Sequence, residues 1–212
     1  MAYLDYGPFQ APKVSASRRA YLHVKERILD GTLQGTALVS EVEVAEELGM
    51  SRTPVRAAFV QLEGEGYLKL YPKRGAIVVP VSAQEAAEVI ETRWVIERHA
   101  IERASKELGA ELVAAAATHE QLEGAELVDA DRAFHHLLVA GTGNTILLAL
   151  YDTLRDRQRR MARVTTATPE RKARIVDEHR ALAAALAEGE TDDAFTLLRR
   201  HLDGALATLR GS

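Results

Sequence analysis

Four polar residues fall on the apolar faces of predicted helices, where their side chains would point into the core. Asp131 and His135 lie one helical turn apart in a helix predicted near 130–140 and can hold a common ion. His179 and His201 each occur at an apolar position of a later helix. A buried polar group without a partner costs roughly 1–3 kcal/mol, so such a set needs something to satisfy it. Three imidazoles and a carboxylate predict a divalent metal site.

The alternative for each histidine alone is an ordinary core residue that is bonded to a backbone carbonyl. A shared metal site explains better why three histidines and an aspartate point inward together. Zinc is the metal ion we expect, with nickel, manganese and iron as alternatives that accept the same ligands. The remaining histidines have no inward-facing partner pattern, and we expect surface or ordinary packing roles for His23, His99, His119 and His136.

Arg93 is the other charged residue on an inward face, in the helix predicted from Ser82 to about Leu108. A buried guanidinium needs an anion. One candidate is Glu97, four residues later on the same helix face. The other is a small carboxylate effector whose second end reaches the metal ion.

A second set of candidate residues lies in the N-terminal third of the chain. Two short capped helices are joined by Gly49-Met50 and followed by a predicted hairpin, which is the order of a winged helix-turn-helix. In that motif the second helix enters the major groove by its N-terminus. Arg binds guanine edges or phosphate, and first-turn N–H groups and hydroxyls bind phosphate. The predicted DNA contacts are Ser51, Arg52, Thr53 and Arg56 from the helix, and Lys73, Arg74 and Gly75 from the hairpin tip.

The elements that position these residues are mainly helical. A helix from Ser17 to about 30 precedes the two short helices, which are capped by Ser40 and Ser51, and strands are predicted at 67–71 and 76–79. After Ser82 only helices are predicted, near 82–108, 110–123, 130–140, 144–164, 170–187 and 191–209. We therefore predict a mainly α protein. Its parts are a flexible arm (1–16), a winged helix-turn-helix (17–81) and an all-helical antiparallel bundle (82–212).

Composition limits the possible chemistry. The 212 residues contain no Cys, which excludes disulfides, thiolate metal sites and cysteine nucleophiles. The net charge of −4 divides unevenly, because residues 1–81 carry 10 basic and 9 acidic residues whereas residues 82–212 carry 17 and 22. A mildly basic patch within 51–74 is compatible with a DNA contact. No signal peptide and no membrane-length apolar run are evident, so we expect a cytoplasmic protein without a membrane partner.

These motifs resemble those of GntR-family bacterial transcription regulators. The most specific is Ser-Arg-Thr-Pro-Val-Arg at 51–56, with further similarity across 43–58, 62–67 and 72–75. The helical half is similar to the effector domain called FCD of the FadR-like subgroup. Its metal-binding members carry Asp-x-x-x-His, Glu-His and Arg-His-Leu, which match Asp131 and His135, His179, and His201 here.

The resemblance implies a homodimer that binds an inverted-repeat operator in double-stranded DNA and responds to a small organic acid. It also points to an arginine at the position of Arg93. One departure is that Ser40-Glu41-Val42 stands where some members have a basic DNA-contacting residue.

We therefore expect a repressor of transcription that is not an enzyme. Two other functions are compatible with the same residues. One is a metal-dependent hydrolase or oxygenase, although no HExxH motif is present. The other is a DNA-binding protein in which the metal is purely structural.

Overall fold

The N-terminal unit combines three helices with a small sheet. The computed structural model describes residues 14–165 and 169–210, so most of the predicted arm lies outside the described residues. Helix α1 spans Ala16–Leu29, α2 spans Glu41–Glu47 and α3 spans Arg52–Gly64. The strands are β1 (Leu38–Val39), β2 (Leu68–Tyr71) and β3 (Gly75–Val78), in the antiparallel order β1-β3-β2. This arrangement is the predicted winged helix-turn-helix.

Local signals explain most of these boundaries. The Ser40 side chain accepts hydrogen bonds from the backbone N–H groups of Val42 and Glu43, as its predicted capping role requires. The first helix was predicted to begin at Ser17, but its cap is Ser15, whose Oγ accepts a bond from Arg18 N at 3.2 Å. Strand β1 was not predicted, since two residues are too few to show an alternating pattern.

Gly75 is fixed by the geometry of the wing. Its φ is 94°, a conformation that favours glycine, and a Cβ atom there would lie 2.5 Å from the carbonyl oxygen of Val39. A predicted DNA-contacting residue therefore also has a structural reason to be glycine.

The C-terminal unit consists of helices packed around one apolar core. The helices are α4 (Ala83–Glu102), α5 (Lys106–Thr118), α6 (Gly124–Ala140), α7 (Thr145–Asp152), α8 (Arg155–Thr165), α9 (Pro169–Glu188) and α10 (Thr191–Arg210), with a 3₁₀ turn at His119–Gln121. Helix α9 packs against α5 and α10, and α10 packs against α4 and α8. The mainly α class with an all-helical C-terminal part is thus confirmed.

Two of the predicted helices are divided in the structure. The helix predicted over 82–108 ends at Glu102, because Ser105 caps a new helix by accepting a bond from Leu108 N. The helix predicted over 144–164 is interrupted at Thr153 and Leu154. Among the described residues, no helix is both long enough and apolar enough to span a membrane.

Gly109 was expected to separate two helices, but it lies inside α5. A Cβ atom at this position would come within 2.3 Å of the backbone nitrogen of Ala187 in α9. The glycine therefore allows two helix backbones to approach closely, and its role is packing rather than chain termination.

Candidate functional site

The structure brings the four predicted metal ligands together in the C-terminal unit. The group consisting of Asp131, His135, His179 and His201, here called the Asp–His cluster, offers one donor atom per residue, all within 4.8 Å of one another. The three imidazoles are buried. The sequence positions them well, because α6 supplies an i,i+4 pair and α9 and α10 each supply one residue of their apolar faces.

The donor atoms of the cluster face one another. Nε2 of His135 lies 3.1 Å from Nε2 of His201 and 3.2 Å from Nε2 of His179. Oδ1 of Asp131 lies 3.4 Å from His179 Nε2, 3.8 Å from His201 Nε2 and 4.0 Å from His135 Nε2. Ligands of one zinc ion, each about 2.0–2.2 Å from it, have comparable separations. The donor set therefore could hold a divalent metal ion.

Each of the three imidazoles also has a polar neighbour close to its other ring nitrogen. His135 Nδ1 lies 2.8 Å from Glu97 Oε2, and His201 Nδ1 lies 3.0 Å from Glu178 Oε2. His179 Nδ1 lies 3.0 Å from Nδ1 of His119. Such outer partners orient metal-binding histidines and fix which nitrogen carries the proton. The Nε2 atom of each ring faces the centre of the cluster, where a metal ion would need its lone pair.

His119 is the residue whose role the sequence prediction missed. Its side chain is only 1% exposed, and it hydrogen bonds to the backbone of Ala130 as well as to His179. Because it begins a 3₁₀ turn rather than continuing α5, the helical periodicity of the sequence does not report the direction of its ring. No pattern in this sequence predicts that His119 contacts His179.

The other three histidines lie outside the cluster. His136 is 45% exposed and pairs with Asp152, and His99 is also exposed. His23 contacts Glu47 in the N-terminal unit. These positions agree with the expected surface or packing roles.

Burial dominates the electrostatics of the cluster. Desolvation lowers the pKa of His179 well below its usual value, and the neighbouring histidines lower it further. Desolvation also lowers the pKa of His201, against the opposing effect of its bond to Glu178. Neutral imidazole is the form that binds a metal ion. The surroundings therefore hold these two rings in the form that ligation requires.

Arg93 and Glu97 form a buried ion pair beside the cluster. Arg93 Nε donates to Glu97 Oε1 at 2.7 Å, and the two side chains are 8% and 0% exposed. Burial raises the pKa of Glu97, but the charge of Arg93 and the contact with His135 outweigh it and leave the carboxyl pKa well below its usual range. The internal partner considered for Arg93 is thus present. Glu97 accepts a hydrogen bond from one of the five N–H groups of the Arg93 guanidinium.

A cavity adjoins both Arg93 and the Asp–His cluster. The cavity is narrow, with a volume of about 30 Å³, which is well below the range of about 300–1,000 Å³ for small-molecule sites. Its polar lining includes Arg93, Asp131, Arg132, Gln158, Arg171 and His201. Three arginines and two cluster residues therefore line the same space.

The carboxylate of Glu178 is bonded to two neighbouring side chains. Its Oε2 is bonded to His201 Nδ1 and to Arg171 Nη1, at 3.0 and 3.2 Å. Burial raises the pKa of this carboxyl, but His201 and Arg171 outweigh it and lower the value overall. A hydrolase would need a general base near the ion, and Glu178 is already bonded to a ligand and a cation.

In the N-terminal unit, the predicted DNA-contacting residues of α3 all lie on the surface. Ser51, Arg52, Thr53 and Arg56 are exposed, whereas Val55, Ala58, Phe59 and Leu62 of the same helix are buried. Ser51 occupies the N-cap position, but its side chain accepts no capping hydrogen bond, which corrects that part of the prediction. Its hydroxyl and the first-turn N–H groups can therefore bind a phosphate oxygen.

Arg52 is oriented by a residue of α2. Its Nη2 lies 3.2 Å from Oε2 of Glu41, while its side chain stays 65% exposed. Glu41 belongs to the segment where some family members carry a basic residue. Here that position supplies a carboxylate partner for the recognition helix.

The tip of the hairpin presents two positive side chains. Lys73 and Arg74 are exposed, and Lys73 has a φ of 63° in the turn between β2 and β3. The turn is closed by a bond from Arg74 N to Tyr71 O at 3.0 Å. This chemistry suits contact with a phosphate backbone.

Comparisons with known proteins match both units. The family model for bacterial regulatory proteins of the gntR family matches residues 16–78, and the FCD domain model matches residues 88–204. The chain belongs to the GntR family and carries an FCD domain. It is a DNA-binding transcription regulator, as predicted, and its relatives and structural neighbours are transcription regulators, not enzymes.

Similar proteins span most of this GntR-family chain. An HTH-type transcriptional regulator in an unstable DNA locus of Streptomyces ambofaciens is 31% identical over 195 residues, which cover 87% of this chain and 81% of the relative. The transcriptional repressor GlaR of Escherichia coli is 27% identical over 198 residues, covering 86% and 90%.

Solved structures share the fold. A GntR transcriptional regulator from Rhodococcus sp. RHA1 superimposes with a TM-score of 0.74 at 24% identity, over 92% of this chain and 98% of that one. McbR/YncC of E. coli gives a TM-score of 0.67 at 22% identity, over 93% and 98%.

Proposed function

We propose that this protein is a cytoplasmic, homodimeric repressor whose operator binding is controlled by a divalent metal ion and a small carboxylate. Residues 17–81 are the DNA-reading domain, and residues 82–212 are the sensing and dimerising domain. The observation that carries the proposal is the convergence of three Nε2 atoms and one carboxylate oxygen beside a cavity, which Asp131 and His201 of the cluster line together with Arg93.

The metal part rests on the donor set. Asp131, His135, His179 and His201 would hold the ion, and zinc suits three imidazoles and one carboxylate. A bound divalent ion supplies positive charge and a Lewis-acid position toward the cavity. The chain's own contribution is to orient three rings through their Nδ1 partners and to exclude bulk water from them.

The effector part rests on Arg93 and its surroundings. A guanidinium with N–H groups beyond the one given to Glu97 can bind a carboxylate in the cavity. A molecule spanning Arg93 and the cluster would contact α4, α6 and α10 together. Binding that favours one arrangement of these helices shifts the population of DNA-binding conformers.

The DNA part rests on exposed groups of the winged helix. In this proposal Arg52 and Arg56 reach base edges and Ser51 and Thr53 bind phosphate. Lys73, Arg74 and Gly75 approach the backbone or the minor groove. A dimer would read two half-sites about one helical turn, or ~34 Å, apart. Repression is proposed because relatives include GlaR and the gluconate operon transcriptional repressor of Bacillus licheniformis, which is 24% identical over 151 residues.

The test begins with selection of an operator from a random duplex pool by the full chain. Operator affinity is then measured by fluorescence anisotropy for chelator-stripped protein, for protein with zinc, and for both forms with a panel of small carboxylates. We expect zinc or a carboxylate to change the affinity by about 5- to 150-fold, the usual size of an allosteric coupling.

Two results would contradict parts of the proposal. If neither zinc nor any carboxylate changes the operator affinity, the control of DNA binding by these ligands is contradicted. The protein would then be a DNA-binding protein in which any metal is purely structural. Absence of zinc binding by the stripped protein, in equilibrium dialysis, would remove the metal part. The variant His136→Ala, which alters an exposed histidine outside the cluster, serves as the control and should behave as the unaltered protein.

A further inference from the structure

Glu97 joins a residue of the Asp–His cluster to the cavity wall. Its Oε1 accepts hydrogen bonds from Arg93 Nε and from Tyr151 Oη, each at 2.7 Å. Its Oε2 lies 2.8 Å from Nδ1 of His135, and neither of these two buried atoms has another hydrogen-bond partner among the described residues. The side chain is 0% exposed, so bulk solvent does not reach these contacts. Three polar groups of α4, α6 and α7 therefore meet on one buried carboxylate.

The contact with His135 bears on how that ring can act. A neutral imidazole carries its proton on one nitrogen and a lone pair on the other. If Nδ1 carries the proton toward the carboxylate, Nε2 presents its lone pair to the cluster. If Nε2 carries the proton, His135 cannot be a metal ligand through that atom.

We propose that Glu97 is a positioning residue that keeps His135 protonated on Nδ1 and so prepares its Nε2 for a metal ion. The inference deepens the proposed function, since it rests on metal binding at the Asp–His cluster. Glu97 does this while its other oxygen binds Arg93, the residue proposed to contact the effector. The carboxylate of Glu97 thus connects a proposed metal ligand, His135, with the proposed effector-binding residue, Arg93.

The three surrounding groups make glutamine a sharp test at this position. Glutamine has almost the same shape as glutamate but only one acceptor oxygen, and its NH₂ group donates. Arg93 can only donate, so the amide oxygen is required on its side. The NH₂ group then faces His135 Nδ1, which can accept only if the proton moves to Nε2. Glu97→Gln should therefore change the tautomer of His135.

The first measurement needs no variant. Long-range ¹H–¹⁵N spectra of the chelator-stripped wild-type chain, assigned with His135→Gln, report which ring nitrogen of His135 carries the proton. We expect Nδ1–H. An Nε2–H tautomer in the wild-type protein would overturn the inference.

The second measurement compares zinc affinities by competition with a chromophoric chelator. We expect Glu97→Gln to bind zinc roughly 10- to 100-fold more weakly than wild type, as found when outer partners of metal ligands are removed. Tyr151→Phe is the control, because it removes one donor from Oε1 and leaves the contact of Oε2 with His135. It should bind zinc like the wild type.

Melting of the stripped proteins separates this role from a folding defect. Glu97→Gln with a wild-type melting temperature, an Nε2–H tautomer and weakened zinc binding supports the inference. Unchanged zinc affinity in a folded Glu97→Gln protein overturns it. If Glu97→Gln does not fold, the wild-type tautomer decides. If the wild type binds no zinc, the proposed metal function fails, while the tautomer measurement still decides whether Glu97 positions His135.

Discussion

The two units of the protein present their functional residues in opposite ways. In the winged helix, Arg52 keeps 65% of its side chain exposed, and Ser51, Thr53 and Arg56 also face solvent. In the helical unit, the imidazoles of His135, His179 and His201 are buried, and each has a polar neighbour close to Nδ1. A surface that reads DNA must remain open to its ligand, whereas the buried imidazoles are held in place by the side chains around them.

This difference predicts how substitutions in each unit will behave. Removing an exposed side chain should change binding and leave stability alone. Removing a buried group should change ligand affinity and also the packing that surrounds it. The five substitutions that follow test the contrast, in order of decreasing expected effect.

The largest effect is expected for His179→Ala. It removes a proposed metal ligand, the partner of His119 Nδ1 and a ring stacked on Phe134 with a 4.4 Å centroid distance. Zinc affinity should fall by more than the roughly 10- to 100-fold typical of an outer partner. At zinc concentrations of about 100 times the wild-type Kd, the variant should also lose the ~2.7 kcal/mol of stabilisation that bound ligand supplies. Competition titration and calorimetry measure the two effects, and wild-type zinc affinity would show that His179 is not a ligand.

A smaller effect on a different property is expected for Arg52→Ala and Arg56→Ala. Loss of a bidentate base contact, worth about 1–3 kcal/mol, weakens specific binding by roughly 5- to 150-fold. The melting temperature should not change, because both side chains are exposed. Anisotropy titrations with the selected operator measure the loss. The control is Arg180→Ala, which removes an exposed arginine from the helical unit; equal weakening by this control would indicate a general charge effect.

His119→Phe should lower zinc affinity by about tenfold, the lower end of the range for an outer partner. The ring volume is kept, but the atom facing His179 Nδ1 can no longer form a hydrogen bond. The melting temperature of the zinc-free protein should change less than in His179→Ala. Zinc affinity equal to that of the wild type would assign His119 to packing alone.

The smallest effect is expected at the wing. Lys73→Asn removes a charge at a position with a φ of 63°, which asparagine tolerates better than most residues. Operator affinity should fall only a few-fold, by a similar factor on specific and non-specific DNA. The slope of log affinity against log salt should decrease by about one unit. An unchanged slope would place Lys73 outside the phosphate contacts.

The local sequence patterns identified both candidate sites. Capping residues such as Ser40 and Ser82 mark helix starts because their side chains bond to N–H groups only three residues away or fewer. The spacing of Asp131 and His135 predicts a shared helix face for the same reason. These inferences depend only on residues within one or two helical turns of each other, and their spacing can be read from the sequence.

The tertiary structure decided which groups meet across helices. His119 pairs with His179, sixty residues away, and Tyr151 donates to Glu97, fifty-four residues away. Gly109 allows contact between α5 and α9 that no local pattern describes. The sequence by itself determined the residue types, the helix face on which each residue lies, and the family. Each of these depends on the spacing of nearby residues or on short motifs. Only the packing of distant segments decided the partner of each Nδ1 atom, because that depends on how several helices place their faces together.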